Sequence, residues 1–238
     1  MTIKNLVIRK EYKLNEYRVP IIPLDCIKLL KNNFTVYIES SEDRCFKDET
    51  YKSCGCILID DYTKHNFNKN ETLIIGLKEF DYNNNNLLSY KHLYFSHTYK
   101  NQANNIEILS KFKKEKGIIY DLEYLVDDKN RRLIAFGFWA GFIGTAISLL
   151  QFYYKSINKE LVNLFQLDDY KILINELKNY NNYFTNIEVG IIGINGRCGQ
   201  GCKYLLDILC IKYIGYGRKD VLDTLVNHNK LYKIRKRN

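Results

Sequence analysis

Proline is nearly missing from this chain, with two in 238 residues, and glycine reaches only 13. Collagen-like and proline-rich architectures are thereby excluded. No internal repeat is visible, and the one low-complexity stretch is the asparagine run at 83–86, read as a loop insertion. The first residues, MTIKNLVIRKEYK, are charged within four positions and contain no long apolar run of the kind a secretory signal needs. Acidic residues are the scarcer sign: 36 Lys and Arg against 27 Asp and Glu leave a net +9. That excess attracts anions in general and selects none of them. Aromatic residues make up 14% and apolar residues 46%, so a disordered chain is excluded. The length suits one large domain or two small ones, each able to bury a core.

Seven cysteines, at 26, 45, 54, 56, 198, 202 and 210, are an odd number. Cys54-x-Cys56 has no matching second pair, and Cys198 and Cys202 stand at a spacing poorly suited to zinc. No metal is expected. Reduced, buried thiols in a cytoplasmic protein are the expectation.

Leu133 to Tyr154 carries no charged side chain, and Gly137 and Gly141 form a small-residue pair spaced for close helix packing. The run is long enough to span a bilayer, but Gln151, Ser148, Thr145 and three glycines lower its hydropathy. Periodicity leaves two readings open: a membrane span, or a buried helix whose glycines touch a neighbour.

Short apolar strands alternate with amphipathic helices along the chain. Strands are expected at 3–9, 34–39, 56–59, 72–76 and 92–97, with one or two more over 117–125. Helices are expected at 24–32, 42–53, 102–114, about 135–155 and near 159–180. Such alternation predicts an α/β fold, an open and mainly parallel sheet covered by helices. A change of unit is expected near residue 186. There the strand at 187–192 runs into Gly193, Gly196, Gly199 and Gly201, and then into a helix with Leu205, Leu206 and Leu209 on one face. Strand, glycine turn and helix is the arrangement that cradles a dinucleotide pyrophosphate. The spacing G-x-x-G-x-x-G departs from G-x-G-x-x-G, and a structural glycine turn is the competing reading. A further strand at 212–217 leads to Arg218 rather than to the carboxylate that usually holds a ribose. The tail KIRKR reads as a solvated terminus, with nucleic-acid binding as the alternative.

EYKLNEYRVPIIP at 11–23, GLKEF at 76–80, FSHTYKNQ at 95–102, YDLEYLVDDKNRRLIAFGFWAGFIG at 120–144 and IIGINGRCGQG at 191–201 stand in order. Together they resemble saccharopine dehydrogenase of the NAD-dependent, lysine-forming type. More distantly the chain is similar to the N-terminal domains of alanine dehydrogenase and transhydrogenase. The resemblance implies that NAD oxidises saccharopine and that water splits the product into lysine and 2-oxoglutarate, a step of lysine biosynthesis. It implies an acid–base pair, Lys78 and His97. Substrate contacts would come from Lys78, Arg18, Arg132, Gln102 and Phe136. Glu16, Glu123 and Lys100 would tune the lysine. Arg131 would lie on the cofactor side, and Gly196 and Arg197 over the NAD phosphates. It also implies that the apolar run is a buried helix, with no membrane and no specific nucleic acid as partner.

Members of that family run longer, with a nucleotide domain of several more strands. The expectation is therefore a substrate-side domain over 1–185 and an incomplete dinucleotide-binding unit over 186–238, completed by an oligomer or a partner chain. A second hypothesis is a catalytically inactive homologue that keeps an amino-acid or keto-acid pocket.

Overall fold

The computed structural model describes residues 2–99, 104–160, 167 and 169–218. They form two compact units that divide between Ile134 and Ala135.

The first unit is a six-stranded sheet. β1 (Asn5–Ile8), β2 (Thr35–Glu39), β3 (Ile57–Ile59), β4 (Thr72–Ile75), β5 (Lys91–Tyr94) and β6 (Ile118–Asp121) are all parallel, in the order β3-β2-β1-β4-β5-β6. Between them run α1 (Pro23–Lys31), α2 (Asp48–Ser53), α3 (Asn85–Leu88) and α4 (Asn105–Glu115). The alternation of side chains along β1 decides the two cores. Val7 packs on one face with Ile74, Leu88, Tyr94 and Phe112, while Leu6 and Ile8 pack on the other with Val36, Ile38, Cys26 and Tyr51. A parallel sheet covered on both faces needs such continuous apolar runs. Strand order reverses between β1 and β4, which makes the carboxyl ends of these strands the place where a ligand crevice opens.

Three local expectations are corrected. Residues 42–47 are not helical. Arg44 donates to the carbonyls of Glu39 and Phe46 and pairs with Asp48, and the Cys45 N–H goes to the Tyr17 carbonyl. These tertiary bonds replace the helix ladder until Asp48. The asparagine run is not all loop, because α3 forms across it to bury Leu87 and Leu88. β5 stops at Tyr94, three residues before the expected end.

His92, in β5, is 1% exposed, donates from Nε2 to the Leu87 carbonyl at 2.9 Å and stacks on Phe80. Burial pushes its pKa down from 6.5 to about 4. The unfolded chain takes up a proton below 6.5 and the folded chain does not until about 4. Stability is therefore expected to fall on acidification across that window, by about 3 kcal/mol from this residue. His92→Phe should cost about 1 kcal/mol near neutrality and lose this acid sensitivity. Urea titrations of both proteins at several pH values measure it.

The second unit holds α5 (Gly137–Ser156), α6 (Tyr170–Asn179), β7 (Glu188–Ile192), α7 (Arg197–Ile208) and β8 (Lys212–Tyr216), with β7 and β8 parallel. The change of unit expected at 186 falls inside it. The compact units divide instead between Ile134 and Ala135, because Phe142, Ala146 and Leu150 of α5 share one core with Leu177, Ile191, Leu205 and Leu206. The glycine spacing read in the sequence has a structural cause. A Cβ at Gly141 would overlap the Cys198 carbonyl, and one at Gly201 would overlap the Phe138 carbonyl, so α5 and α7 touch backbone to backbone. α5 is not buried all round, since Trp139, Ile143 and Phe152 remain partly exposed. Among the described residues no helix is long and apolar enough to cross a membrane. The expectation of buried thiols holds at Cys26 and Cys56 and is corrected elsewhere: Cys45, Cys54 and Cys202 are partly exposed, and Cys198 and Cys210 are exposed.

Candidate functional site

Lys78 and His97 are brought to one cavity. Both follow neighbouring parallel strands by three residues, β4 for Lys78 and β5 for His97, so both stand at the carboxyl edge of the sheet. The cavity is about 660 Å³ and is lined by Lys13, Lys78, Glu79, Ser96, His97 and Lys111 among others. Its walls are mainly polar, as a charged amino-acid substrate would require.

His97 has a backbone φ of 54°, a left-handed conformation uncommon outside glycine. Asp121, at the end of β6, holds this turn. Its Oδ2 accepts from the Ser96 hydroxyl at 2.7 Å and from the His97 N–H at 3.2 Å. The ring stacks on Phe95, and its Nδ1 is buried with no protein hydrogen-bond partner among the described residues. An imidazole held by its backbone with a ring nitrogen unsatisfied by protein is suited to exchanging a proton with a bound molecule.

Glu16 and Arg18 form a two-pronged pair, Nε to Oε1 at 2.7 Å and Nη2 to Oε2 at 2.6 Å. The hydrogen bonds from Arg18 hold the Glu16 carboxyl below the usual carboxylate range, and the charge of Lys78 acts in the same direction. The guanidinium pKa of Arg18 is correspondingly raised by Glu16. Glu123 and Arg132 form a second such pair at 2.8 and 3.0 Å. Arg132 bridges antiparallel to Val126, and Glu123 lies in the short 3-10 turn Leu122–Tyr124 that precedes this pairing. Arg131 turns to Asp127 at 2.7 Å and is largely exposed. Neither Arg18 nor Arg132 is among the residues lining the cavity. Lys100 and Gln102 lie outside the described residues.

The second unit carries the rest. Phe136, 42% exposed, precedes the first residue of α5. Gly193 turns the chain after β7 with φ of 80°. Gly196 is the N-cap of α7, and Arg197 is its first residue. A Cβ at Gly199 would overlap the Gly193 carbonyl. The three glycines thus divide the labour that a phosphate cradle asks of them: tight turn, bare backbone at the helix start, and close packing of helix on turn. The glycine turn and the helix start at Gly196 fit a pyrophosphate, which the N–H groups at a helix N-terminus can hold. β8 is followed by Gly217 and Arg218, and Asp220 lies outside the described residues.

Two functional candidates were not legible in the sequence. Glu11 and Asp121 accept backbone N–H groups beside Lys78 and His97 respectively. Asp121 ends a strand, which is a usable sign. Glu11 sits among alternating charges and carries none.

The chain matches the family described as "Alanine dehydrogenase/PNT, N-terminal domain" over residues 7–143. It is similar to "Saccharopine dehydrogenase [NAD(+), L-lysine-forming]" of Schizosaccharomyces pombe, at 35% identity, covering 94% of this chain and 63% of that protein. The protein of the same name from Candida glabrata is 34% identical over 91% of this chain and 59% of its own length. The chain thus spans less than two thirds of either relative. Among solved structures, an L-alanine dehydrogenase superposes with a TM-score of 0.59 at 12% identity, covering 93% of this chain and 63% of that one. At that identity the likeness concerns the fold alone.

Proposed function

The chain belongs to the alanine dehydrogenase/PNT N-terminal domain family, and from that premise we propose that it takes part in NAD-dependent cleavage of saccharopine to lysine and 2-oxoglutarate. One observation carries this reading: Lys78 and His97 share a polar cavity at the switch point of a parallel sheet. The names of the relatives supply the substrate. Substrate-side chemistry is assigned to residues before 186, and contact with the dinucleotide phosphates to Gly196 and Arg197.

When bound, NAD would accept the hydride that leaves the carbon of the secondary amine. Lys78, acting as base, first takes the proton from that amine nitrogen, so that the nitrogen lone pair can form the C=N bond as the C–H bond breaks. His97 then takes a proton from the water that attacks the imine carbon. The C–N bond breaks, the departing nitrogen is protonated and leaves as lysine, and the oxygen of water remains in 2-oxoglutarate. One hydride leaves as NADH and one proton is released to solvent. Glu16 and Glu123 orient Arg18 and Arg132 through their ion pairs, and the two arginines receive substrate carboxylates on the surface their glutamates leave exposed.

Saccharopine-dependent NADH formation, measured by absorbance with concentrated folded protein, tests the reading. Formation that saturates with saccharopine supports it, and an undetectable rate overturns it. Arg18→Met is expected to raise KM for saccharopine by about tenfold to a hundredfold, the worth of a charge-assisted hydrogen bond, with a small change in kcat. An unchanged KM would remove Arg18 from the substrate contacts.

A further inference from the structure

We infer that Arg9 and Glu11 form a positioning clamp on the peptide of Lys78. The inference rests on the reading of Lys78 as the amine base. Glu11 Oε1 accepts the Leu77 N–H at 2.6 Å, and Oε2 accepts the Lys78 N–H at 2.8 Å. Arg9 donates from Nη2 to the Lys78 carbonyl and lies 3.4 Å from Glu11 through Nη1. Both side chains are almost fully buried, at 1% and 3% exposure. The two polar groups of the Lys78 backbone are therefore both held by one ion pair from the end of the adjacent strand, β1.

The surroundings are arranged around the guanidinium. It lies 5.3 Å from the Phe80 ring centroid and 6.0 Å from that of Tyr94. Its Nη1 also donates to the Lys10 carbonyl at 3.1 Å. Gly76 leaves room for it, since a Cβ there would overlap the guanidinium group. Backbone bonds alone could have terminated β4. A buried ion pair is a costly alternative unless every lone pair and N–H is satisfied, and here the bonds converge on the residue that carries the amine. Fixing that peptide fixes the direction in which the Lys78 side chain leaves it, and misplacing a reacting group by an ångström costs far more rate than affinity.

Glu11→Gln keeps the shape but turns one acceptor into a donor facing an N–H, and leaves Arg9 without its counter-charge. As a second variant, in case the first does not fold, Gly76→Ala displaces the guanidinium while keeping both charges. Each is measured for saccharopine turnover in the wild-type and Lys78→Met backgrounds, and for hydrogen exchange at the Leu77 and Lys78 amides. The clamp predicts kcat lower by about tenfold to a hundredfold, KM nearly unchanged, no further loss in the Lys78→Met background, and faster exchange at both amides. An equal fractional loss in both backgrounds means a merely structural role and overturns the inference, as does an unchanged kcat. A wild-type chain that turns over no saccharopine contradicts the reaction reading instead. In that event the clamp is judged on exchange: acceleration at the two amides retains it, and unchanged rates overturn it.

Discussion

Lys78→Met is expected to lower saccharopine turnover by about 10²- to 10⁴-fold, the range for loss of a positioned acid or base. The substitution removes the amine and keeps the length of the side chain. It leaves intact the bonds that hold the backbone, because Glu11 and Arg9 engage the Lys78 N–H and carbonyl rather than its ammonium. Thermal stability should therefore change little, and 2-oxoglutarate should still bind. Glu16 reports the loss independently: the Lys78 charge helps to keep its carboxyl acidic, so its titration should move up in the variant while the Arg18 hydrogen bonds keep it below the usual range. Steady-state rates, a thermal melt and the carboxyl resonance of Glu16 check the three parts. A variant with wild-type turnover would remove Lys78 from the chemistry.

Gly141→Ala is expected to destabilise the second unit strongly. Its Cβ would overlap the carbonyl oxygen of Cys198 and lie 2.8 Å from the Cys198 Cα, all backbone of α7. Backbone cannot rotate away as a side chain can, so the two helices must separate. Separation opens the core formed by Phe142, Ala146, Leu205 and Leu206, each fully buried. The expected cost is about 3 kcal/mol or more, the upper range for overpacking. Gly144, one turn further along α5, is the internal control. A Cβ there meets nothing within 4 Å, so Gly144→Ala should be neutral or stabilise by about 0.5–1 kcal/mol through helix propensity. Urea titrations of the three proteins distinguish the cases. Equal midpoints for both variants would show that α5 and α7 are not in backbone contact.

These two predictions also mark what the sequence made legible. The close helix contact was visible as Gly137-x3-Gly141, because small residues one turn apart have few other uses in an apolar run. The sheet was visible in β1, β2 and β4, whose apolar runs suit a strand buried on both faces. The glycine turn before α7 was visible for the same reason, since Gly193 and Gly199 answer to steric demands that other side chains fail. Residues 42–47 were not legible. Their polar composition reads as helix, and only the Arg44 bonds to Glu39 and Asp48 decide otherwise. α3 was hidden in the opposite sense: asparagine is a poor helix former, and burial of Leu87 and Leu88 overrides it. Arg9 and Glu11 were hidden most completely. A charge at the end of a strand reads as surface, and its partners at Leu77 and Lys78 are more than 60 residues away. The pair of Lys78 and His97 came from family resemblance, and parallel pairing of β4 with β5 is what puts them at one cavity.

The central claim is that this cavity is where a keto acid or amino acid meets Lys78 and His97. The most direct measurement is the spectrum of the chain labelled at its histidine rings, recorded while 2-oxoglutarate is added. His97 faces the cavity, and His92 is sealed behind Phe80 and Phe112. The account predicts that the His97 ring resonances shift saturably while those of His92 stay in place. Resonances that all remain still, or that drift together without saturation, would contradict it.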